Sequence, residues 1–414
     1  MCLALAPALS AGRGPVLTRD APPNITAEAA VLIDAHTGIV LYERHARMRK
    51  FPASTTKTMT GLLCVEKGDL DRAVTISKRA AAVGEASLNL FEGQQITLNH
   101  LLVGVMLKSG NDASTAVAEA VGGDYATFVK MMNDRVTELG LTGTHFVNPH
   151  GLHHADHYST AYDLAMIARA AMANERFSEI VGKQQITIPW PNRPEGRVID
   201  NLNRLLPRWS AVDGVKTGYT TPAGRCLIAS ATVDGWRLIA VGLKCQDSWS
   251  DCEALLRWGF DNYQLVQVIA AGKGEWDCPV RAGAARTVSV APTGDLLLPL
   301  SRSMQPPRPD VELPEVVAPV DTGRELGAVH ITYRGRNYTV PLAAIESVDR
   351  SLWATLLESC EHTAAVFLLF ALSFGVLVHG ATAKIARARG RRVAQRRREA
   401  HLSRARVSEW QGGH

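Results

Sequence analysis

No Cys-x-x-Cys pair occurs anywhere in the 414 residues: Cys2, Cys64, Cys226, Cys245, Cys252, Cys278 and Cys360 are scattered singly. That spacing excludes a zinc framework. Cys64 and Cys226 sit in apolar runs and read as small buried hydrophobes. Cys245 and Cys252 are open to pairing in an oxidising compartment, a connectivity that sequence leaves undecided. No internal repeat is present, which argues against a solenoid or propeller. Charge is also missing in one place: no Asp, Glu, Lys or Arg lies between His362 and Lys384.

That gap holds the apolar run "TAAVFLLFALSFGVLV", Thr363 to Val378, continued by small residues to Ala383. About 20 residues are enough to cross a hydrocarbon core. From Lys384 to His414 follow ten Lys or Arg against Glu399 and Glu409. The chain's formal charge of +5 is therefore misleading, because the residues before this tail carry a net of −3. Arginines crowding one flank of an apolar run read as a cytoplasmic stop signal. We expect a single-pass anchor with a basic cytoplasmic tail and everything upstream outside the cytoplasm. A nucleic-acid partner is not needed to explain the tail. At the other end, "MCLALAPALSAG" reads as the remnant of a signal peptide, with Ala8-Leu9-Ser10 as its cleavage site.

Between the ends, hydropathy gives an ordered series of elements. "AAVLIDAHTGIVLYE" reads as two strands around a His-Thr-Gly turn. Helical periods follow from Ser54 to about Glu66, from Leu98 through the 110s, over Tyr125–Leu139 and over Ala161–Ala173. "GRCLIASATV" and "WRLIAVGLKC" then read as neighbouring strands, and "SDCEALLRWGFDNY" as an amphipathic helix. Strands at both ends with helices between them imply an α/β (α+β) domain whose antiparallel sheet joins distant parts of the chain. From about Leu265 only short strand-like pieces and Pro- or Gly-rich turns remain, which predicts a small all-β domain. The expected division is 1–24 leader and linker, 25–264 catalytic domain, 265–348 β domain, 349–383 linker and transmembrane helix, and 384–414 tail.

Three polar motifs interrupt the apolar texture. In "PASTTKTMTGLLC", Ser54 precedes Lys57 by three residues at the mouth of a helix. Residues i and i+3 share a helix face. A lysine held in a partly desolvated pocket loses its proton near neutrality and becomes a base for the adjacent hydroxyl. "LLVGVMLKSGNDAST" places Ser109-Gly110-Asn111 after an apolar run, and "AVDGVKTGYTTPAGRCL" places Lys216-Thr217-Gly218 in a strand. Each triplet alone is common. The three in this order are a signature of penicillin-binding proteins and their hydrolase relatives.

With "FVNPHGLHHADHYSTAYDLA" added, residues 25 to 265 resemble the D-alanyl-D-alanine carboxypeptidases. These are the low-molecular-mass penicillin-binding proteins, serine peptidase family S11. The resemblance implies a penicillin-binding/β-lactamase-like fold and hydrolysis of peptidoglycan stem peptides, with β-lactams as covalent inhibitors and no cofactor. It assigns Ser54 as nucleophile, Lys57 as base and Ser109 as proton relay to the departing amine. Asn111 would hold the substrate amide, and Lys216 and Thr217 would meet the substrate carboxylate. Gly218 would let the substrate backbone approach the strand, and the N–H groups of Ser54 and Tyr219 would form the oxyanion hole. Lys244 is the nearest candidate for a second carboxylate ligand, across an alignment gap.

The histidines of "NPHGLHHADH" (His150, His153, His154, His157) have metal-like spacings, but Pro149 and Gly151 argue for a loop with a structural role. Two rivals remain. A class A β-lactamase needs a Glu-x-x-Leu-Asn arrangement between the second and third motifs, and none occurs there. A catalytically silent wall-binding protein would have no need of Ser54, Lys57 and Lys216.

Overall fold

The computed structural model describes residues 21–410; the expected signal-peptide remnant, with its cleavage site, lies outside them. Two units divide the chain, Met1–Val268 with Leu297–Pro306, and Ile269–Leu296 with Pro307–His414.

The first unit is built on five strands: Ala29–Asp34 (β1), Val40–Arg44 (β2), Val212–Thr220 (β3), Gly224–Val233 (β4) and Trp236–Cys245 (β5). Their order is β2-β1-β5-β4-β3, antiparallel throughout. The N-terminal hairpin is therefore stitched to the C-terminal strands, with Ala29 opposite Leu243 and Asp34 opposite Leu238. Asp34 closes the β1–β2 turn by accepting from His36 N and Thr37 N at 3.2 and 2.7 Å. It also receives the indole N–H of Trp236 at 2.8 Å, which locks the turn to β5. β1 is buried along its whole length, as its unbroken apolar run requires.

The helices are Lys57–Lys67 (α1), Leu98–Met106 (α2), Asn111–Gly122 (α3), Tyr125–Glu138 (α4), Ala161–Met172 (α5), Glu175–Gly182 (α6), Ser248–Asn262 (α7) and Leu352–Trp410 (α8). α1 is buried from Lys57 to Cys64, because its residues are apolar or small on every side. Its hydroxyls are met in part: Thr60 donates to Pro149 O at 2.6 Å, and Thr56 Oγ1, just before the helix, lies 2.8 Å from His157 Nε2, while the buried Thr58 Oγ1 has no hydrogen-bond partner among the described residues. The remaining helices of the first unit, including the shorter Lys78–Ala81 with Ser77 before it, have side-chain N-caps as their sequences direct, except α3, which is preceded by Gly110. Thr97, Asp124, Thr160, Asn174 and Asp247 each accept from a first-turn N–H.

The single helical run expected from Leu98 through the 110s is two helices. The chain breaks at Leu107–Gly110, where Ser109 takes a left-handed φ of 64° and Asn111 N turns to Ala86 O at 2.7 Å. A polar Lys-Ser-Gly-Asn stretch thus ends α2 and starts α3 at the same point. A hairpin of Gln185–Trp190 and Arg193–Asp200, not apparent in the hydropathy, follows α6.

The second unit has a six-stranded sheet, in the order Asp310–Glu312, Glu325–Tyr333, Arg336–Ala344, Thr287–Pro292, Trp276–Arg281 and Val316–Val317. Its core is Cys278, Val288, Val290, Val329, Ile331 and Leu342, alternate residues on the strands. α8 follows, and the side chains of its apolar stretch are exposed.

Candidate active site

Ser54 lies in a single 3₁₀ turn, Ala53–Thr56, that runs directly into α1. Pro52 starts the turn, and its carbonyl accepts from both Thr55 N and Thr55 Oγ1, at 3.2 and 2.6 Å. Ala53 is held at a left-handed φ of 49°, an unfavourable conformation for a residue with a Cβ. Strain of this kind persists only where the surroundings enforce it. Gly151 supplies the enforcement: a Cβ on it would stand 1.9 Å from Ala53 O, so only glycine lets the 148–152 loop press against the turn.

Lys57 is fully buried one turn later, and its side-chain nitrogen meets three oxygens. Nζ is 3.0 Å from Ser54 Oγ, 2.7 Å from Asn111 Oδ1 and 2.7 Å from His150 O. Two of these are carbonyl oxygens, which only accept. A neutral amine satisfies both with its two N–H bonds and keeps its lone pair for the Ser54 hydroxyl. Burial, and secondly the positive charge of Lys216, push the Lys57 pKa well below its ordinary value; Asp112 and Glu85 oppose the shift. Desolvation and geometry thus favour the same protonation state.

Asn111 is committed on both ends of its amide, since Nδ2 donates to Gly84 O at 3.0 Å. In this structure it holds the lysine. Ser109, two residues earlier, is buried beside it at the break between α2 and α3. Asp112 fastens the loop facing them, accepting from Ser87 Oγ, Leu88 N and Leu90 N at 2.7, 2.8 and 3.0 Å.

The third motif lies on β3, the edge strand of the sheet. Lys216 is buried, and its Nζ donates to Thr217 O at 3.2 Å. Burial lowers its pKa to about 7. Thr217 is half-buried, and Tyr219 is 65% exposed on the lip. A Cβ on Gly218 would come within 3.0–3.1 Å of Thr55 N, Pro52 O and Ser54 N. The glycine is therefore required by the nucleophile's own turn. Lys244 is engaged elsewhere: its Nζ pairs with Glu28 at 2.7 Å, a carboxylate that Lys50 also contacts at 2.5 Å. The two lysines hold the Glu28 carboxyl down at about 2.

The four loop histidines face different neighbours. His157 Nδ1 accepts from Val147 N at 3.1 Å, leaving Nε2 to donate to Thr56. His150 Nδ1 likewise accepts from Leu152 N, with Nε2 3.4 Å from the Tyr125 hydroxyl. Burial pushes both imidazoles down to about 3, so they are neutral supports. His153 packs edge-on against Phe51, and His154 lies on the surface near Asp156. Sequence reasoning missed the contribution of His150, because the group used is its carbonyl and any residue supplies one.

The profile of the family described as D-alanyl-D-alanine carboxypeptidase matches residues 17–247. The chain belongs to this family. Among its relatives, carboxypeptidase DacF of Bacillus subtilis is 33% identical over 344 residues, spanning 80% of this chain and 88% of that one. DacD of Escherichia coli is 32% identical, spanning 83% and 92%. Among solved structures, penicillin-binding protein 5 of Haemophilus influenzae superposes with a TM-score of 0.67 at 30% identity, covering 80% of this chain and 99% of that one. Penicillin-binding protein 6B of Escherichia coli gives 0.63 at 30% identity, covering 78% and 96%. The D-alanyl-D-alanine carboxypeptidase fold is thus present in both of its parts, the α/β domain and the β-rich domain.

Proposed function

We propose that this carboxypeptidase removes the terminal D-alanine from peptidoglycan stem peptides through an acyl-enzyme on Ser54. The observation that carries the reading is the Lys57 amine, seated on two carbonyl oxygens with the Ser54 hydroxyl as its third neighbour. Ser54 Oγ attacks the carbonyl carbon between the two D-alanines while its proton passes to Lys57. The negative oxygen of the tetrahedral intermediate is received by the N–H groups of Ser54 and Tyr219. The packing of Gly218 on Ser54 N supports this, since it brings the two segments together. Loss of one such donor typically costs about 10²–10³ in rate.

Collapse of the intermediate breaks the C–N bond. The departing amine takes the proton from Lys57, with Ser109 as relay, and leaves an ester on Ser54. A water then attacks the ester and gives a proton to Lys57. The second tetrahedral intermediate collapses with cleavage of the C–Oγ bond; Ser54 Oγ takes that proton back from Lys57, and the shortened peptide is freed. Lys216 and Thr217 hold the substrate's terminal carboxylate from the strand side. Asn111 serves as positioning residue for Lys57 in the free enzyme. Penicillin enters as a substrate mimic and persists as the Ser54 ester. The apolar stretch of α8 anchors the enzyme in the membrane, with the arginines from Arg387 onward on the cytoplasmic side.

The test is labelling with a fluorescent penicillin followed by peptide mapping. The adduct is expected on Ser54 and absent in Ser54→Ala, whose melting temperature stays close to that of the parent. An adduct on Ser109 or Ser114 would remove Ser54 from the nucleophile's role.

A further inference from the structure

The strand β5 ends in an irregularity that the chemistry above does not use. On β4, Arg225 stands opposite Cys245 and Leu227 opposite Gly242, so β5 carries one extra residue between the two pairs. Lys244 takes up the excess at a left-handed φ of 53°. A residue with a Cβ is disfavoured there, and such strain persists only where the surroundings enforce it. The effect falls on Cys245. Residues three apart on a regular strand point to opposite faces, and the bulge brings the Cys245 side chain round to the face of Gly242.

That face is covered by α7, which carries Cys252. A Cβ on Gly242 would stand 2.8 Å from Cys245 Sγ and 3.4 Å from Cys252 Sγ, so both sulfurs border the space that the glycine leaves. Both are buried thiols in the structure. The segment joining them is fastened. Thr26 Oγ1 accepts from Gln246 N and Asp247 N at 3.0 and 3.2 Å, and the Thr26 N–H and hydroxyl each reach Asp251 at 2.7 Å. Asp247 in turn caps α7. Cys226 is no rival partner, since it lies on the opposite face from its neighbour Leu227, with Sγ 3.8 Å from Phe51 O.

We infer that Cys245 and Cys252 form a disulfide in the exported enzyme, a covalent clasp between the end of β5 and the first turns of α7. This rests on the placement of the first unit outside the cytoplasm, where disulfides form and persist. Two S–H bonds break and one S–S bond forms. The two electrons and two protons pass to a disulfide-bearing thiol oxidase, which leaves as its dithiol. The step belongs to the folding chain, because burial pushes both thiols up and leaves little thiolate once α7 has docked. The clasp holds the Lys244 bulge in place, and with it the pairing of Lys244 Nζ and Glu28.

Both cysteines fall on one tryptic peptide, Cys245–Arg257. Full-length enzyme is extracted from membranes in detergent, unfolded in iodoacetamide without reductant, digested and weighed by mass spectrometry. The peptide is expected unalkylated and lighter than the dithiol by two hydrogen atoms, and it should take two alkyl groups after reduction. Alkylation of either cysteine without reduction, or a cross-link to the Cys226 peptide, overturns the pair. Protease added to spheroplasts tells the reasons apart. A digested first unit that carries the dithiol overturns the pairing alone; a protected one overturns the placement outside the cytoplasm and the pairing with it. Melting temperatures give an independent check. Cys245→Ala, Cys252→Ala and the double variant should each lose about 5–10 °C, the same loss in all three, because removing either sulfur breaks the one bond. Losses that add in the double variant mean two separately packed thiols and overturn the inference.

Discussion

Two buried lysines sit in one cleft, and the proposed chemistry asks opposite protonation states of them. Lys57 must be neutral to take a proton, and its depressed pKa, owed first to burial and then to Lys216, provides that. Lys216 must be charged to meet a carboxylate, yet burial alone brings it down to about 7 in the free enzyme. Activity should fall on acidification as Lys57 gains its proton. It should also fall on alkalinisation through about 7 as Lys216 loses its own, giving a bell in kcat/KM. In kcat the alkaline limb should move upward, because a bound carboxylate favours the charged amine. An alkaline limb at the same pH in both profiles would dissociate Lys216 from carboxylate binding. Lys57→Arg should be inactive, because a guanidinium keeps its proton.

The same shift at Lys216 affects stability. Its folded pKa lies below its unfolded value, so between about 7 and 10.5 the unfolded chain binds more protons and stability rises with pH. Below about 7 the penalty is present in full, on the order of a few kcal/mol. Lys216→Met should therefore raise the melting temperature at pH 7 and lose that advantage by pH 10.5. Differential scanning fluorimetry across pH checks both points.

At the scale of elements, the site is a meeting of three segments: the 3₁₀ turn at Ser54, the α2–α3 break and β3. Their polar residues were legible because each interrupts an apolar run, and a Ser three residues before a Lys at a helix mouth has a direct chemical meaning. The hairpin of β1 and β2 and the strands β4 and β5 were legible because they are short apolar runs bounded by turn residues. What joins the segments was not. The His150 carbonyl and the Asn111–Lys57 bond depend on long-range packing that leaves no local periodicity. The split of α2 from α3 falls at the polar Lys108-Ser109-Gly110-Asn111 stretch, but the left-handed Ser109 that breaks the backbone there is set by packing and leaves no periodicity of its own. Gly218 was read as a residue that admits substrate, and the packing gives it an additional duty beneath the nucleophile. A Cβ there must displace the Ser54 turn by a few tenths of an ångström. Gly218→Ala should therefore cut kcat by about 10²-fold, the scale of a misplaced reacting group. Circular dichroism should show the fold retained. Unchanged turnover would mean that the turn adjusts freely and that its position is not critical.

The whole molecule places this site in a chain that ends in a long helix. α8 extends from Leu352 to Trp410, and Phe367, Leu368, Leu369, Phe370, Leu372 and Phe374 on it are exposed. Residues 363–383 of the apolar stretch cover roughly 31 Å at 1.5 Å per residue, against about 30 Å of hydrocarbon. Each large apolar side chain left in water forgoes about 1.5–3 kcal/mol, so six of them outweigh the few polar groups in the run. An anchor of this kind does not contribute to catalysis, because Ser54, Lys57, Ser109, Asn111 and Lys216 all lie in the first unit. A chain ending at Ser351 should therefore move from the membrane pellet to the soluble fraction and release D-alanine from a short soluble peptide at the parent rate. On intact sacculi the truncated enzyme should be slower, since tethering raises the local concentration of enzyme at the wall. The full-length protein should resist extraction by high salt and yield to detergent, which separates insertion from electrostatic adhesion by the arginines. If the truncated chain stays in the pellet, the attachment lies elsewhere in the molecule and α8 is a helix that projects without inserting.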